Sequence, residues 1–166
     1  MNLLLLATIV VVTMIFEASL SRRNERELRA QGAAEPHDDV YWLMRVVYPV
    51  AFLAMLAEGW RRGALVDVHV AAGFALFVGA KLLKYWVIVS LGVRWTYRVL
   101  VPPGSTRVLT GPYRLLRHPN YLAVMGELAG AALIAHAPVT GGIALAGFGA
   151  LLLLRIRVEE RALGLR

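Results

Sequence analysis

At 166 residues, 58% hydrophobic and 17% charged, with a mean hydropathy of +0.61, the chain is too apolar for a soluble domain, which runs nearer roughly 45–50% apolar and about 25% charged. The net charge of +7 would suggest nucleic acid as a partner of a soluble protein, but these basic residues stand between apolar blocks, where anionic lipid headgroups account for them. The absence of cysteine excludes disulfides, thiolate metal sites and cysteine nucleophiles.

The first apolar block, residues 1–20, is long enough to cross a hydrocarbon core of about 30 Å. Its arginines (Arg22, Arg23, Arg26 and Arg29) follow the block, so it reads as an anchor and not as a cleaved leader. Residues 43–57 form a short second block, flanked by the interfacial aromatics Tyr41, Trp42 and Trp60. The third, residues 66–91, contains Lys81 and Lys84, which share a face and are expected to snorkel to the headgroups. Glu17 is expected near the boundary of the first block, in water. The fourth and fifth blocks, 120–135 and 139–154, are separated by three residues and predict a tight antiparallel hairpin, with glycines easing the approach of its helices.

Between the third and fourth blocks, Trp95–Val101 and Thr106–Thr110 are β-branched and aromatic around a Pro-Pro-Gly-Ser turn, which predicts a small extended or hairpin-like lid. Arginines crowd the 21–41, 92–118 and 155–166 segments, so these are placed in the cytoplasm and the N-terminus outside. The expected fold is an all-α integral membrane protein with about five transmembrane helices. It forms a single domain over 1–166: three N-terminal spans (1–91), a cytoplasmic lid (92–118), and a hairpin with a cytoplasmic C-terminal helix (119–166). A multi-pass cell membrane location, in a bacterial inner membrane, follows.

Two polar clusters stand out. Gly111–Tyr121 runs straight into the fourth block, with His118 at a cap position before Pro119, and the bare amides behind it together with Arg114 and Arg117 make an anion site. Arg155–Arg161 follows the fifth block, where Arg155 with Glu159 and Arg157 with Glu160 are spaced to pair on one helix face. The hairpin brings the start of its first helix and the end of its second to one membrane face, so His118 and Tyr121 are expected beside Glu159 and Glu160. Glu127, less than two turns past Tyr121, is a candidate for lining the same pocket. No spacing of histidines and carboxylates reads as a metal site.

The run Arg117-His118-Pro119-Asn120-Tyr121, a glycine-rich hairpin, and Glu159-Glu160 about forty residues on resembles the isoprenylcysteine carboxyl methyltransferase family and the related phospholipid N-methyltransferases. The resemblance covers roughly residues 90–166, and the Arg-His-Pro-x-Tyr part alone is shared with NADPH-dependent membrane sterol reductases. It implies a membrane enzyme that uses S-adenosylmethionine and takes a lipophilic substrate from the bilayer. His118, Pro119, Tyr121 and Glu159 would hold the cofactor, with Glu160 and Arg117 next in order; Glu127, read as a charge inside an apolar span, is expected to join them. Arg117, Arg155 and Glu160 would carry the chemistry, a cation orienting a carboxylate acceptor or Glu160 serving as base for a phenol or enol. Bacterial relatives of this kind are thought to methylate small lipids such as alkylpyrones or phenols. The alternatives are an NADPH-dependent membrane reductase and a non-catalytic membrane subunit or scaffold.

Overall fold

The computed structural model describes residues 2–63 and 67–164. Met1, Val66 and Arg166, which bound the first block, the third block and the single domain, lie outside the described residues. Five α-helices account for most of the chain: α1 (Asn2–Ala30), α2 (Tyr41–Arg62), α3 (Val68–Leu91), α4 (Pro119–Ile134) and α5 (Pro138–Ala162). Four of them, α1, α2, α3 and α5, are long and apolar enough to cross a membrane. At 16 residues α4 is shorter, about 24 Å, and is packed among the others.

Each helix ends where the sequence supplies a reason. Asp67 accepts hydrogen bonds from the amides of His69 and Val70 and starts α3. Gly63, at φ +64°, closes α2 in the left-handed conformation. Pro119 and Pro138 open α4 and α5, where a missing amide costs nothing. The C-terminal segment is no separate helix: α5 runs unbroken to Ala162 and carries Glu159 and Glu160 to the start of α4.

The glycines act differently from the expectation. The tightest backbone approaches are Gly59 of α2 on the end of α4, where a Cβ would come within 2.2 Å of the Ala135 oxygen, and α3 on α4, where a Cβ on Gly130 would come within 2.8 Å of the Phe77 nitrogen and one on Gly73 within 2.8 Å of the Gly130 oxygen. Between α4 and α5 only Gly141 is so confined among the described residues, against Ala132, while Gly142 and Gly147 meet nothing within 4 Å. The core of the bundle is the side-chain cluster that α4 presents to its neighbours, including Leu128, Ala131 and Ile134 against Phe52, Met55, Phe77 and Phe148. α4 thus serves as the central post. Connections 31–40 and 92–118 and the end of α5 lie at one end of the bundle, tied by contacts of Ala34 with Val101 and of Asp39 with Arg155. The other end joins Glu58 to Thr140 and Asp67 to His136.

The charges inside the spans overturn two expectations. Lys81 and Lys84 do not snorkel and Glu17 is not in water; all three are buried, and so is Glu127. Lys81 Nζ lies 2.8 Å from Glu17 Oε1 and 3.2 Å from Glu127 Oε2, while Lys84 Nζ lies 3.1 Å from Glu17 Oε2 and 2.8 Å from Glu127 Oε1. Tyr48 of α2 donates to Glu127, and Tyr97 of the lid reaches Glu17 at 3.5 Å. The reason is energetic: an isolated charge at this depth is costly, and pairing inside the bundle removes that cost more completely than stretching toward headgroups. Removing one member should therefore hurt. Lys84→Met leaves two buried carboxylates sharing one lysine and is expected to cost about 3–5 kcal/mol, read as a lower melting temperature in detergent. The double substitution Lys84→Gln, Glu127→Gln, which keeps the charges balanced, should recover much of the loss. An unchanged melting temperature in Lys84→Met would show that the network contributes nothing to stability.

Candidate active site

The segment before α4 is fixed by its own backbone. Gly111 sits at φ +57°, and a Cβ there would lie 2.0 Å from Ser90 Oγ, so only glycine lets the following turn, Gly111–Arg114, lie against the end of α3. Pro112 continues that turn and is buried, and His118 then caps α4 ahead of Pro119. The result is a short rigid lead-in that sets the His118 ring over the first turn of α4, stacked on Tyr121 with ring centroids 5.6 Å apart.

The end of α5 meets this ring pair. The Tyr121 hydroxyl donates to Glu159 Oε2 at 2.5 Å, and His118 Nε2 lies 3.3 Å from Glu160 Oε1. His118 Nδ1 is 4.0 Å from Glu159 Oε2. His118, Tyr121, Glu159 and Glu160, separated by about forty residues in sequence, are thus brought together, and all four line a cavity of about 750 Å³, within the size range of small-molecule and cofactor sites. Arg117 lines the same cavity from an exposed position, while Pro119 is buried at the helix start. The cavity reaches inward past Val124 and Phe148 to Met14 and Tyr48, where Glu17 and Lys84 of the buried ion network also line it.

Two candidates are placed otherwise. Glu127 does not line this cavity; its carboxylate is committed to Lys81, Lys84 and Tyr48, one layer behind the wall. Arg155 lines the cavity but is not available to a substrate: it is buried, with one guanidinium nitrogen on Asp39 and another on the Tyr97 carbonyl at 2.5 Å. The spacing suggested that Arg155 pairs with Glu159, but Arg155 turns to Asp39 and Glu159 to Tyr121. Arg155 is therefore a positioning residue for the lid.

The lid is extended but pairs with no second strand among the described residues. Residues 95, 97, 99 and 101 each send a backbone group to the same side. Asn24 donates to the Trp95 carbonyl at 2.8 Å, Ser21 accepts from the Tyr97 amide at 2.8 Å, and Asp39 accepts from the Val99 amide at 3.0 Å. Val101 exchanges two 3.0 Å bonds with Ala34. This is the two-residue period of a strand, satisfied by side chains and one isolated bridge in place of the hairpin. Ser21, Asn24, Asp39 and Tyr97 were not among the candidates, because their roles depend on partners 58–76 positions away. The one local signal was an aspartate just ahead of a helix: Asp39 also accepts from the Tyr41 amide.

The lid tyrosines stay protonated. Burial pushes the Tyr97 phenol up, reinforced by the negative charge of Glu17, and burial with the charge of Glu159 does the same for Tyr113. Neither is a phenolate base near neutral pH. At the edge of the lid, burial raises Glu35, but Arg98 and Arg29 outweigh it and hold the carboxyl below its usual range.

Fold and site together define a multi-pass membrane protein whose polar pocket is built at one end of a C-terminal helical hairpin. The family model described as "Isoprenylcysteine carboxyl methyltransferase (ICMT) family" matches residues 71–164, α3 through α5. The chain is 31% identical over 159 residues to the uncharacterised protein YpbQ of Bacillus subtilis, covering 96% of this chain and 95% of that one. It is 25% identical over 155 residues to an uncharacterised protein of Haemophilus influenzae, covering 93% and 90%. No solved structure matches the chain. The chain belongs to the isoprenylcysteine carboxyl methyltransferase family, a family of membrane methyltransferases.

Asp39 joins α2, the lid and α5 through one carboxylate, so Asp39→Ala should release the lid without unfolding the bundle. Amide hydrogen exchange in residues 97–101 is expected to accelerate, while the α3–α4 contact around Gly130 stays protected. Equal acceleration in both places would mean that Asp39 supports the whole bundle and not the lid.

Proposed function

We propose that the protein transfers a methyl group from S-adenosylmethionine to a lipophilic acceptor whose nucleophile is a carboxylate or a phenol or enol oxygen. The observation that carries this reading is the convergence of His118 and Tyr121 with Glu159 and Glu160 on one cavity wall, in a chain whose family is one of methyltransferases.

The residues present suit the cofactor's chemistry. Its ammonium and ribose hydroxyls are donors and call for carboxylate acceptors, which Glu159 and Glu160 offer. Its carboxylate calls for a cation, which Arg117 offers. When bound, the cofactor supplies an electrophilic methyl on a sulfonium. The chain's part is to hold it beneath the lid, to keep water away, and to align the acceptor oxygen with the methyl. Glu160 faces His118 at 3.3 Å, so a proton leaving a phenol or enol has a carboxylate and imidazole pair within reach.

The acceptor is read as lipophilic because Met14, Val124, Phe148 and Leu152 give the cavity a continuous apolar side. The membrane is read as a bacterial cytoplasmic membrane and the site as cytoplasmic, because the arginine-rich connections lie at the site's end of the bundle.

Calorimetric titration with S-adenosylhomocysteine tests the cofactor assignment. Glu159→Ala and His118→Ala are each expected to weaken binding by about 1.5–3 kcal/mol, the worth of a hydrogen bond with a charged group, without loss of the folded protein. Wild-type affinity in both variants would remove these residues from the cofactor site. The side of the membrane is tested by cysteine labelling in intact cells. Thr110→Cys and Arg157→Cys should be shielded from an impermeant reagent and Arg61→Cys should react; the reverse pattern would put the site outside.

A further inference from the structure

Among the described residues, every exposed large hydrophobic side chain lies on one of the five α-helices except three: Leu109, Leu115 and Leu116. They flank the turn Gly111–Arg114, and Leu115, at 81%, is the most exposed large hydrophobic residue described. Single exposed leucines are ordinary, but three within one short stretch form a patch. None of them lines the cavity of the site, and neither does Arg114, which the sequence placed with Arg117 in one anion site; Tyr113, between them, does line it. The lead-in to α4 therefore has two sides, one turned to the site and one turned away from it.

The helices fix the depth of the outer side. A Cβ on Gly111 would lie 3.1 Å from Trp86 Nε1, so the turn rests against the last turns of α3. Trp86 is half-exposed and belongs to the stripe Val78, Leu82, Trp86 and Val89, exposed at the spacing of one helix face, which is the lipid-facing side of α3. From Val68 at its start, that helix climbs roughly 27 Å to Trp86, the far edge of a hydrocarbon core of about 30 Å. Gly126 and Gly130 of α4 pack on Ala80 and Phe77, so α4 runs antiparallel and its start comes level with the same part of α3. The patch thus carries the apolar surface of the spans on into the headgroup region. Charge selects what covers it. Residues 92–118 hold five arginines and no aspartate or glutamate. Arg114 is exposed, and its side chain has no hydrogen-bond or ion-pair partner among the described residues. A cation at headgroup depth beside exposed leucines matches a lipid of negative charge.

We propose that the outer side of this turn is a binding surface for anionic phospholipid: Leu109, Leu115 and Leu116 enter the acyl edge of the leaflet on the site's side, and Arg114 takes the phosphate of an anionic headgroup. The last part of the 92–118 segment is then an interfacial element and not an aqueous loop. Tyr113 faces the cavity from the same turn and His118 follows shortly after, so the leaflet holds from outside the turn that orients the site from inside. The surface lies behind the cavity wall and does not rest on the methyltransferase reading, which its failure would leave untouched.

The chain has no cysteine, so a single introduced cysteine carries a single probe. The full chain, with an environment-sensitive nitrobenzoxadiazole label at Leu115→Cys or at Leu109→Cys, is placed in phosphatidylcholine nanodiscs. Gln31→Cys, exposed in the turn after α1 and roughly 21 Å along the chain's rise from Glu17, is the aqueous reference. The labels at 115 and 109 should emit further to the blue than the label at 31, and a phospholipid with a nitroxide high on its acyl chain should quench them and not the reference. At equal small mole fractions, nitroxide phosphatidylglycerol should quench the 115 label as though enriched about fivefold over nitroxide phosphatidylcholine, the preference that one arginine near the surface supports. Arg114→Gln should remove that preference and Arg114→Lys should keep it, and about 1 M salt, which shortens screening to about 3 Å, should weaken it. The two leucine positions are read separately, so a variant that fails to fold at one leaves the other to decide. Emission and quenching at both positions like those at 31 would overturn the proposal. Equal quenching by the two lipids would overturn it as well, as would a preference unchanged in Arg114→Gln.

Discussion

Two glutamates and two lysines buried in contact with one another hold the rest of this structure in place. Each lysine lies within 3.2 Å of both carboxylates, so each charge is neutralised from two sides. Such a set is stable only when complete, because desolvation of one unmatched charge costs several kcal/mol in a low-dielectric interior. The network takes Glu17 from α1, Lys81 and Lys84 from α3 and Glu127 from α4, with tyrosines from α2 and the lid at its edges. The family segment, residues 71–164, contains both lysines but only one of the glutamates. On its own it would bury a net positive charge. Glu17 removes that excess, which gives α1 an electrostatic role in a bundle that it otherwise touches sparingly.

The same network orders the site above it. Tyr97 sits between the two, its hydroxyl toward Glu17 and its carbonyl on Arg155. Arg155 in turn is held by Asp39, which also binds the Val99 amide and the start of α2. A path of ion pairs and hydrogen bonds therefore runs from the buried charges to the lid, which lines one cavity with Glu159 and Glu160. The lid's backbone spends its hydrogen bonds on side chains of α1 and α5 and on Asp39 and Ala34 of the 31–40 connection, so its position follows these elements and not any sheet of its own.

What could be read in the sequence divides along the same line. The convergence of His118 and Tyr121 with Glu159 and Glu160 was legible because it needs only local facts: a helix rise, a three-residue turn and two motifs at the outer ends of one hairpin. The lid's extended backbone was legible from its β-branched residues, but its partners were not, since Ser21, Asn24 and Asp39 are ordinary polar residues until the bundle closes. Lys81, Lys84, Glu17 and Glu127 were each weighed alone, and alone a lysine near a span's end snorkels and a glutamate seeks water. Their sum was the missed signal. Two positive and two negative charges inside otherwise apolar helices balance, and in a membrane interior balanced charges find one another.

That balance also explains how a polar reaction can be carried out at the edge of hydrocarbon. In the proposed reaction with a carboxylate, a cationic methyl donor and an anionic acceptor become two neutral products, so charge disappears in the transition state. A solvent that stabilises separated charges opposes such a step, and a dry cavity favours it. The difficulty is bringing the two ions into a dry place. Here the floor of the cavity is internally neutral, one wall carries carboxylates already bonded to His118 and Tyr121, and the mouth carries arginines without carboxylate partners. The floor attracts neither reactant strongly, so the attraction that remains is between each reactant and its own wall, and between the two reactants. A network that looks purely structural thereby keeps the charges that matter at the reacting atoms.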